Sequence, residues 1–207
     1  DPLKYASIVY SHPEWMVKRW VERFGAEEAV SLCRSNQSVP PKTLRVNTLA
    51  TSRERLIDEL ASAGFGVRKT IYSPDGIEVS SGGHVDPKDP RYYIQDEASQ
   101  LIPYLMSPKP GEIILDLCSA PGGKTTHMAQ LMGNSGVIYA IDKHQHRLKN
   151  VIETAKRLNV DIIKTVVSDA LEGIPFNLSF DAILLDAPCS GLGVLRRSPD
   201  IKYRRKE

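Results

Sequence analysis

Leu115-Asp116-Leu117-Cys118-Ser119-Ala120-Pro121-Gly122-Gly123-Lys124-Thr125 decides the fold, because it sets a glycine turn directly between an apolar strand and an amphipathic helix. Before it, residues 112–117 read as a strand that follows a helix over 97–106, with Ala98, Leu101, Ile102 and Leu105 on one face. After it come a helix over 125–132, a strand over 137–142 and a helix striped with Leu148, Val151, Ile152, Ala155 and Leu158. Strands over 162–167 and 180–186 complete the pattern. Apolar strands separated by helices predict an α/β fold, a doubly wound Rossmann-like parallel sheet covered on both faces. Right-handed crossovers then put ligands above the carboxyl ends of the strands.

Four predicted strands each deliver an acid to that rim: Asp116, Asp142, Asp169 and Asp186. One acid after a strand is commonly a helix cap. Four in succession argue for a ligand. A triphosphate-binding loop needs a glycine five positions before Gly123, where Cys118 stands. The Gly-x-Gly-x-x-Gly of dinucleotide folds is also absent from residues 118–123. The remaining common ligand for a glycine turn after the first strand, with an acid ending the second, is S-adenosylmethionine. On that reading Asp142 accepts bonds from the ribose hydroxyls, and Gly122 and Gly123 let the backbone approach the methionine part closely. Asp169 is expected near the adenine edge. Cys118 contributes backbone and packing, and Lys124 bonds either the methionine carboxylate or Asp186.

Upstream, residues 10–33 mix Trp15, Val17, Trp20, Val21 and Phe24 with charged residues as a helix does, begun by Ser11-His12-Pro13. A polar stretch ending in Pro40-Pro41 breaks it. Thr43-Leu44-Arg45-Val46-Asn47-Thr48-Leu49 alternates like a strand, Ser52 opens a helix that Gly64 stops, and short strands follow over 67–71 and 77–79. The expected organisation is a helical linker segment over 1–42, a small β-α-β-β module over 43–95 and the ligand-binding domain over 96–207. With 207 residues, 41% of them hydrophobic, the chain can build a real core. No apolar run approaches the roughly 20 residues of a membrane span, and Asp1, Lys4, His12 and Glu14 do not suit a signal peptide. Three cysteines without a CxxC pair predict neither a disulfide framework nor a metal site, so a reducing cytoplasm is expected. The net charge of +2 names no partner, and its distribution says more than its sum. Arg196, Arg197, Lys202, Arg204, Arg205 and Lys206 crowd the last twelve residues against Asp200 and Glu207, a local basic cluster suited to phosphates, with Tyr203 beside it.

The runs over 118–125 and Asp186-Ala187-Pro188-Cys189-Ser190-Gly191, with Asp142 and Asp169, resemble the Nol1/Nop2/Sun family of RNA cytosine-5 methyltransferases. Tyr93-Ile94-Gln95-Asp96-Glu97-Ala98-Ser99 and Leu44-Arg45-Val46-Asn47-Thr48 extend the likeness over about residues 40 to 200. Tyr10-Ser11-His12-Pro13-Glu14-Trp15 further resembles the bacterial RsmB-type branch, which acts on small-subunit ribosomal RNA. The resemblance implies an RNA-recognition-like small module, RNA as partner and S-adenosylmethionine as cofactor. It implies a cofactor set of Cys118, Ser119, Ala120, Pro121, Gly122, Gly123, Lys124, Asp142, Arg147, Asp169 and Asp186; the expected state is a monomer without metal. Cytosine C5 is a poor nucleophile, so such enzymes add a thiolate at C6 before the methyl group is passed. The family likeness gives that attack to a cysteine in a later Thr-Cys motif, gives Cys189 a part in releasing product, and places Asp186 against cofactor or base. No Thr-Cys occurs in these residues, and the sheet is expected to be incomplete after its fourth strand. Transfer RNA as substrate, a non-catalytic RNA-binding factor and an exocyclic-amine methyltransferase are the alternatives; Pro188-Cys189 argues against the last.

Overall fold

The computed structural model describes residues 2–206; Asp1 and Glu207, both counted in the charge reading, lie outside the described residues. It divides into two compact units, one of residues 41–188 and one of residues up to 40 together with those from 189 onward.

The second of these is helical. α1 (Pro2–Val9), α2 (Glu14–Phe24) and α3 (Ala26–Ser35) bury Ala6, Val17 and Cys33 among Leu3, Tyr10, Trp20, Val21 and Val30. The continuous helix expected over 10–33 is two helices. Gly25 takes φ 83°, a left-handed conformation that stops α2 while its N–H still reaches the Val21 carbonyl. The late part of the chain joins this unit: Arg196 donates to the carbonyls of Ser38 (3.1 Å) and Val39 (2.7 Å), and Tyr203 Oη donates to that of Ser11 (2.9 Å).

The larger unit holds two four-stranded sheets. β1 (Lys42–Val46), α4 (Arg53–Ser62), β2 (Gly66–Lys69), β3 (Gly76–Ser81) and β4 (Tyr92–Ile94) form an antiparallel sheet in the order β2-β3-β1-β4. Ser52 caps α4 by accepting from the Arg55 N–H, and Leu56 and Leu60 pack on Leu44, Val46 and Ile77. The expected β-α-β-β module thus gains a fourth strand, registered through Leu44 opposite Ile94. β1 is shorter than the strand read over 43–49, because Asn47 turns the chain: its carbonyl accepts from the Ala50 and Thr51 N–H groups.

α5 (Glu97–Met106), β5 (Ile113–Asp116), α6 (Gly123–Leu131), β6 (Val137–Asp142), α7 (Gln145–Arg157), β7 (Ile163–Val167) and β8 (Ala182–Leu184) form the parallel sheet, ordered β7-β6-β5-β8. Ile114, Met128, Met132, Ile138 and Leu158 are its buried centre. The chain moves outward from β5 through β6 to β7, then returns to pair β8 on the other side of β5. That reversal opens a crevice at the carboxyl end of β5, where the glycine turn stands. β8 keeps three of the seven residues expected over 180–186, because only β5 pairs with it and Ile183 and Leu185 stay exposed. No helix among the described residues is long and apolar enough to cross a membrane.

Candidate active site

The glycine turn is built by local bonding. Ser119 is pinned to β6 through its N–H (2.9 Å) and Oγ (3.0 Å), both donating to the Ile141 carbonyl. Gly122 then takes φ 103° and returns its N–H to the Ser119 carbonyl at 2.8 Å. A side chain is excluded there on two counts, since a Cβ on Gly122 would also lie 3.1 Å from the backbone of Val151. α6 starts at Gly123, two residues earlier than the sequence pattern suggests, and Thr126 Oγ1 donates back to the Gly122 carbonyl (2.7 Å). The peptide bond between Ala120 and Pro121 is cis.

Asp116 lies under this turn. It is 1% exposed, and Oδ2 accepts from Thr125 Oγ1 at 2.7 Å while Oδ1 has no partner. Burial pushes its pKa up to about 6. A cleft of about 180 Å³ opens over it, lined by Tyr93, Gln95, Ser99, residues 118–121, Gly123, Lys124 and Asp186. Lys124 Nζ is ion-paired to Asp186, one of the two partners that the sequence leaves open. The Asp186 side chain remains half exposed. Burial and the nearby acids push the Cys118 thiol up, away from the reactive thiolate form.

A second group continues from the turn. Asp142, 4% exposed, accepts from the His144 N–H (2.9 Å) through Oδ1 and pairs through Oδ2 with Arg147 at 3.1 Å. Arg147 also donates to the Ala120 carbonyl (3.3 Å), tying the acid at the end of β6 to the loop after β5. Asp169 pairs with Lys143 (2.8 Å), whose hydrogen bond holds its pKa down. A larger hollow of about 470 Å³ at the start of α4 is lined by none of the strand-end acids.

Cys189 and the basic cluster belong to the helical unit, where Cys189 is exposed. One assignment there is corrected. Lys202 is 2% exposed, so it cannot present its ammonium to a phosphate. Arg204 is exposed and paired with Asp200 (3.0 Å), and exposed Arg205 donates to the Ser190 carbonyl (2.9 Å). Sequence reasoning counted Asp116 among the strand-end acids but left it out of the cofactor set, and it gave Tyr93, Gln95 and Ser99 no role. The run over 93–99 carried the only signal for the last three.

A glycine turn at the switch point of a parallel sheet, an acid ending the neighbouring strand and a small antiparallel module ahead of both define the Rossmann-like methyltransferase class. Residues 103–207 match the family model for the 16S rRNA methyltransferase RsmB/F, and residues 12–86 match the ferredoxin-like domain of the RsmF/B-like methyltransferases. The chain belongs to the RsmB/F methyltransferase family. It is 42% identical to the probable ribosomal RNA small subunit methyltransferase B of Bacillus subtilis, over 100% of this chain and 47% of that protein. It is 37% identical to the human 28S rRNA (cytosine(4447)-C(5))-methyltransferase, over 99% of this chain and 26% of that one. Among solved structures, a methyltransferase homolog from Pyrococcus horikoshii matches with TM-score 0.83 and 33% identity, covering 96% of this chain and 67% of that one. NSun6 from Pyrococcus horikoshii, solved with SFG, matches with TM-score 0.79 and 26% identity, covering 87% and 71%. The chain spans about half the length of the bacterial relatives it matches.

Proposed function

We propose that this chain is the cofactor-binding part of an S-adenosylmethionine-dependent methyltransferase that acts on C5 of cytosine in ribosomal RNA. The observation that carries the reading is the cleft at the carboxyl end of β5, with an unpartnered buried carboxylate oxygen beneath a glycine turn. Such an oxygen is an acceptor suited to an ammonium group. Bound there, S-adenosylmethionine supplies a methyl group on a positively charged sulfur. Asp116 Oδ1 receives the amino group of the methionine part, and the first N–H groups of α6 receive its carboxylate. Asp142 holds the ribose hydroxyls with the acceptor capacity left beside Arg147, and Asp169 borders the adenine. Asp186, held by Lys124, faces the base. Cys189 keeps the part in product release that the family likeness gives it. Arg196, Arg197, Arg204 and Arg205 contribute to an RNA-binding face, and Lys202 does not.

The 207-residue chain should release heat on titration with S-adenosylmethionine, and Asp142→Ala should abolish it. No heat from the wild-type chain sinks the cofactor reading. For the reaction, base-resolved mapping of ribosomal RNA treated with the full-length protein should reveal 5-methylcytosine. Methylated adenine amines, or methylated transfer RNA alone, would overturn the substrate.

A further inference from the structure

We infer that Arg45 is a positioning residue for the glycine turn, and that through it the small module sets the affinity of the cleft for its ligand; the inference rests on the adenosyl reading proposed above. Arg45 stands on β1 of the antiparallel sheet and is 1% exposed, one of the largest side chains buried to that degree. Its Nη1 donates to Gln95 Oε1 (2.8 Å) and to the Gly123 carbonyl, and its Nη2 donates to Thr126 Oγ1 (3.0 Å). One guanidinium thus clamps the first turn of α6 to strand β1 and to the residue after β4.

The same contacts form the wall behind the turn. The Arg45 guanidinium lies 5.2 Å from the centre of the Tyr93 ring, and Tyr93 and Gln95 both line the cleft. A Cβ on Gly123 would meet Tyr93 Cε1 at 3.0 Å and Gln95 Nε2 at 3.5 Å, so the turn rests directly on these two side chains. Stability alone does not account for a cation here. Burying a guanidinium is costly, and a positive charge beside a helix N-terminus opposes the helix dipole. What the planar fork adds is direction: two acceptors on α6 and one on Gln95 fix the height and orientation of the turn above the cleft.

The module also grips the far end of α6, which supplies an internal control. Asp75 Oδ2 accepts from Tyr104 Oη (2.6 Å), Gln130 Nε2 (3.0 Å) and His127 Nε2 (3.2 Å). That cluster joins the same two parts of the unit without touching a residue of the glycine turn. If Arg45 were only glue, cutting either link would have one kind of effect.

The test compares Arg45→Met with Asp75→Asn in the 207-residue chain. Affinity for S-adenosylmethionine is measured by calorimetry, melting temperature by circular dichroism, and amide hydrogen exchange over residues 122–126 by mass spectrometry. Both substitutions should lower the melting temperature. Only Arg45→Met should weaken binding, by about tenfold or more as expected for losing a charge-assisted bond, and speed exchange in the turn without ligand. Should Arg45→Met fail to fold, Arg45→Lys keeps the charge but loses the fork, and it should weaken binding severalfold. Wild-type affinity in the Arg45 variants, or an equal loss in Asp75→Asn, overturns the inference while leaving the adenosyl reading intact. A wild-type chain that binds no S-adenosylmethionine overturns both.

Discussion

Replacing Asp116 by Asn should make the protein more stable while weakening its ligand binding. In the folded chain burial raises the Asp116 pKa from 3.8 to about 6. Each unit corresponds to 1.36 kcal/mol, so the ionised carboxylate costs about 3 kcal/mol once the pH is well above 6. The sign follows from linkage. A raised folded pKa favours the protonated form, so the contribution is present below about pH 4 and is lost as the pH rises through 6. Asparagine matches the protonated acid in size and can still accept from Thr125 Oγ1, now at 2.7 Å from Oδ2. Urea unfolding followed by far-ultraviolet circular dichroism should find Asp116→Asn more stable by about 3 kcal/mol at pH 7.5 and by about 1 kcal/mol at pH 4.5. A gain below about 1 kcal/mol at pH 7.5, or a gap that does not narrow toward pH 4.5, would refute the argument. Calorimetry on the same variant should show weaker S-adenosylmethionine binding, a conflict between stability and function common at ligand sites.

Burial lowers the His127 pKa to about 4, so protonation favours unfolding and the wild type loses stability as the pH falls from 6.5 toward 4. His127→Gln should remove about 3 kcal/mol of that dependence, read as a flatter urea midpoint across the window. Gly122→Ala forces an L-residue to φ 103° against the Val151 backbone. Thermal melting should report a loss of at least about 1 to 2 kcal/mol, and a neutral result would refute the turn geometry. For RNA, Arg204→Ala and Arg205→Ala should each reduce the salt slope of binding by about 0.7 to 0.9, whereas Lys202→Met should leave it unchanged; filter binding across a salt series decides.

The turn itself was readable because strand, glycine pair and helix are punctuated within eleven residues. Punctuation also misled where it was weak: Gly25 inside an otherwise helical stretch reads as a tolerated glycine, and only its φ of 83° divides the helix. β4 has three residues and no alternation to detect; it exists because β1 offers it an edge. Arg45 was the least legible. Alternation along Thr43-Leu44-Arg45-Val46 assigns it to a solvated face, yet all four residues are buried because β1 is covered on both sides. Asp116 was visible as a strand-end acid, but its free oxygen and raised pKa come from packing that no local pattern encodes.

Both tryptophans of the chain, Trp15 and Trp20, sit on α2 in the helical unit, while the cleft carries Tyr93 as its only aromatic lining residue. Indole emission therefore reports the helical unit alone and is silent about the glycine turn. With the secondary structure of both units followed by circular dichroism and α2 by fluorescence, two optical signals from one sample tell whether the units unfold together or in turn. A tryptophan in place of Tyr93, which lines the cleft, would give the ligand site an optical reporter of its own.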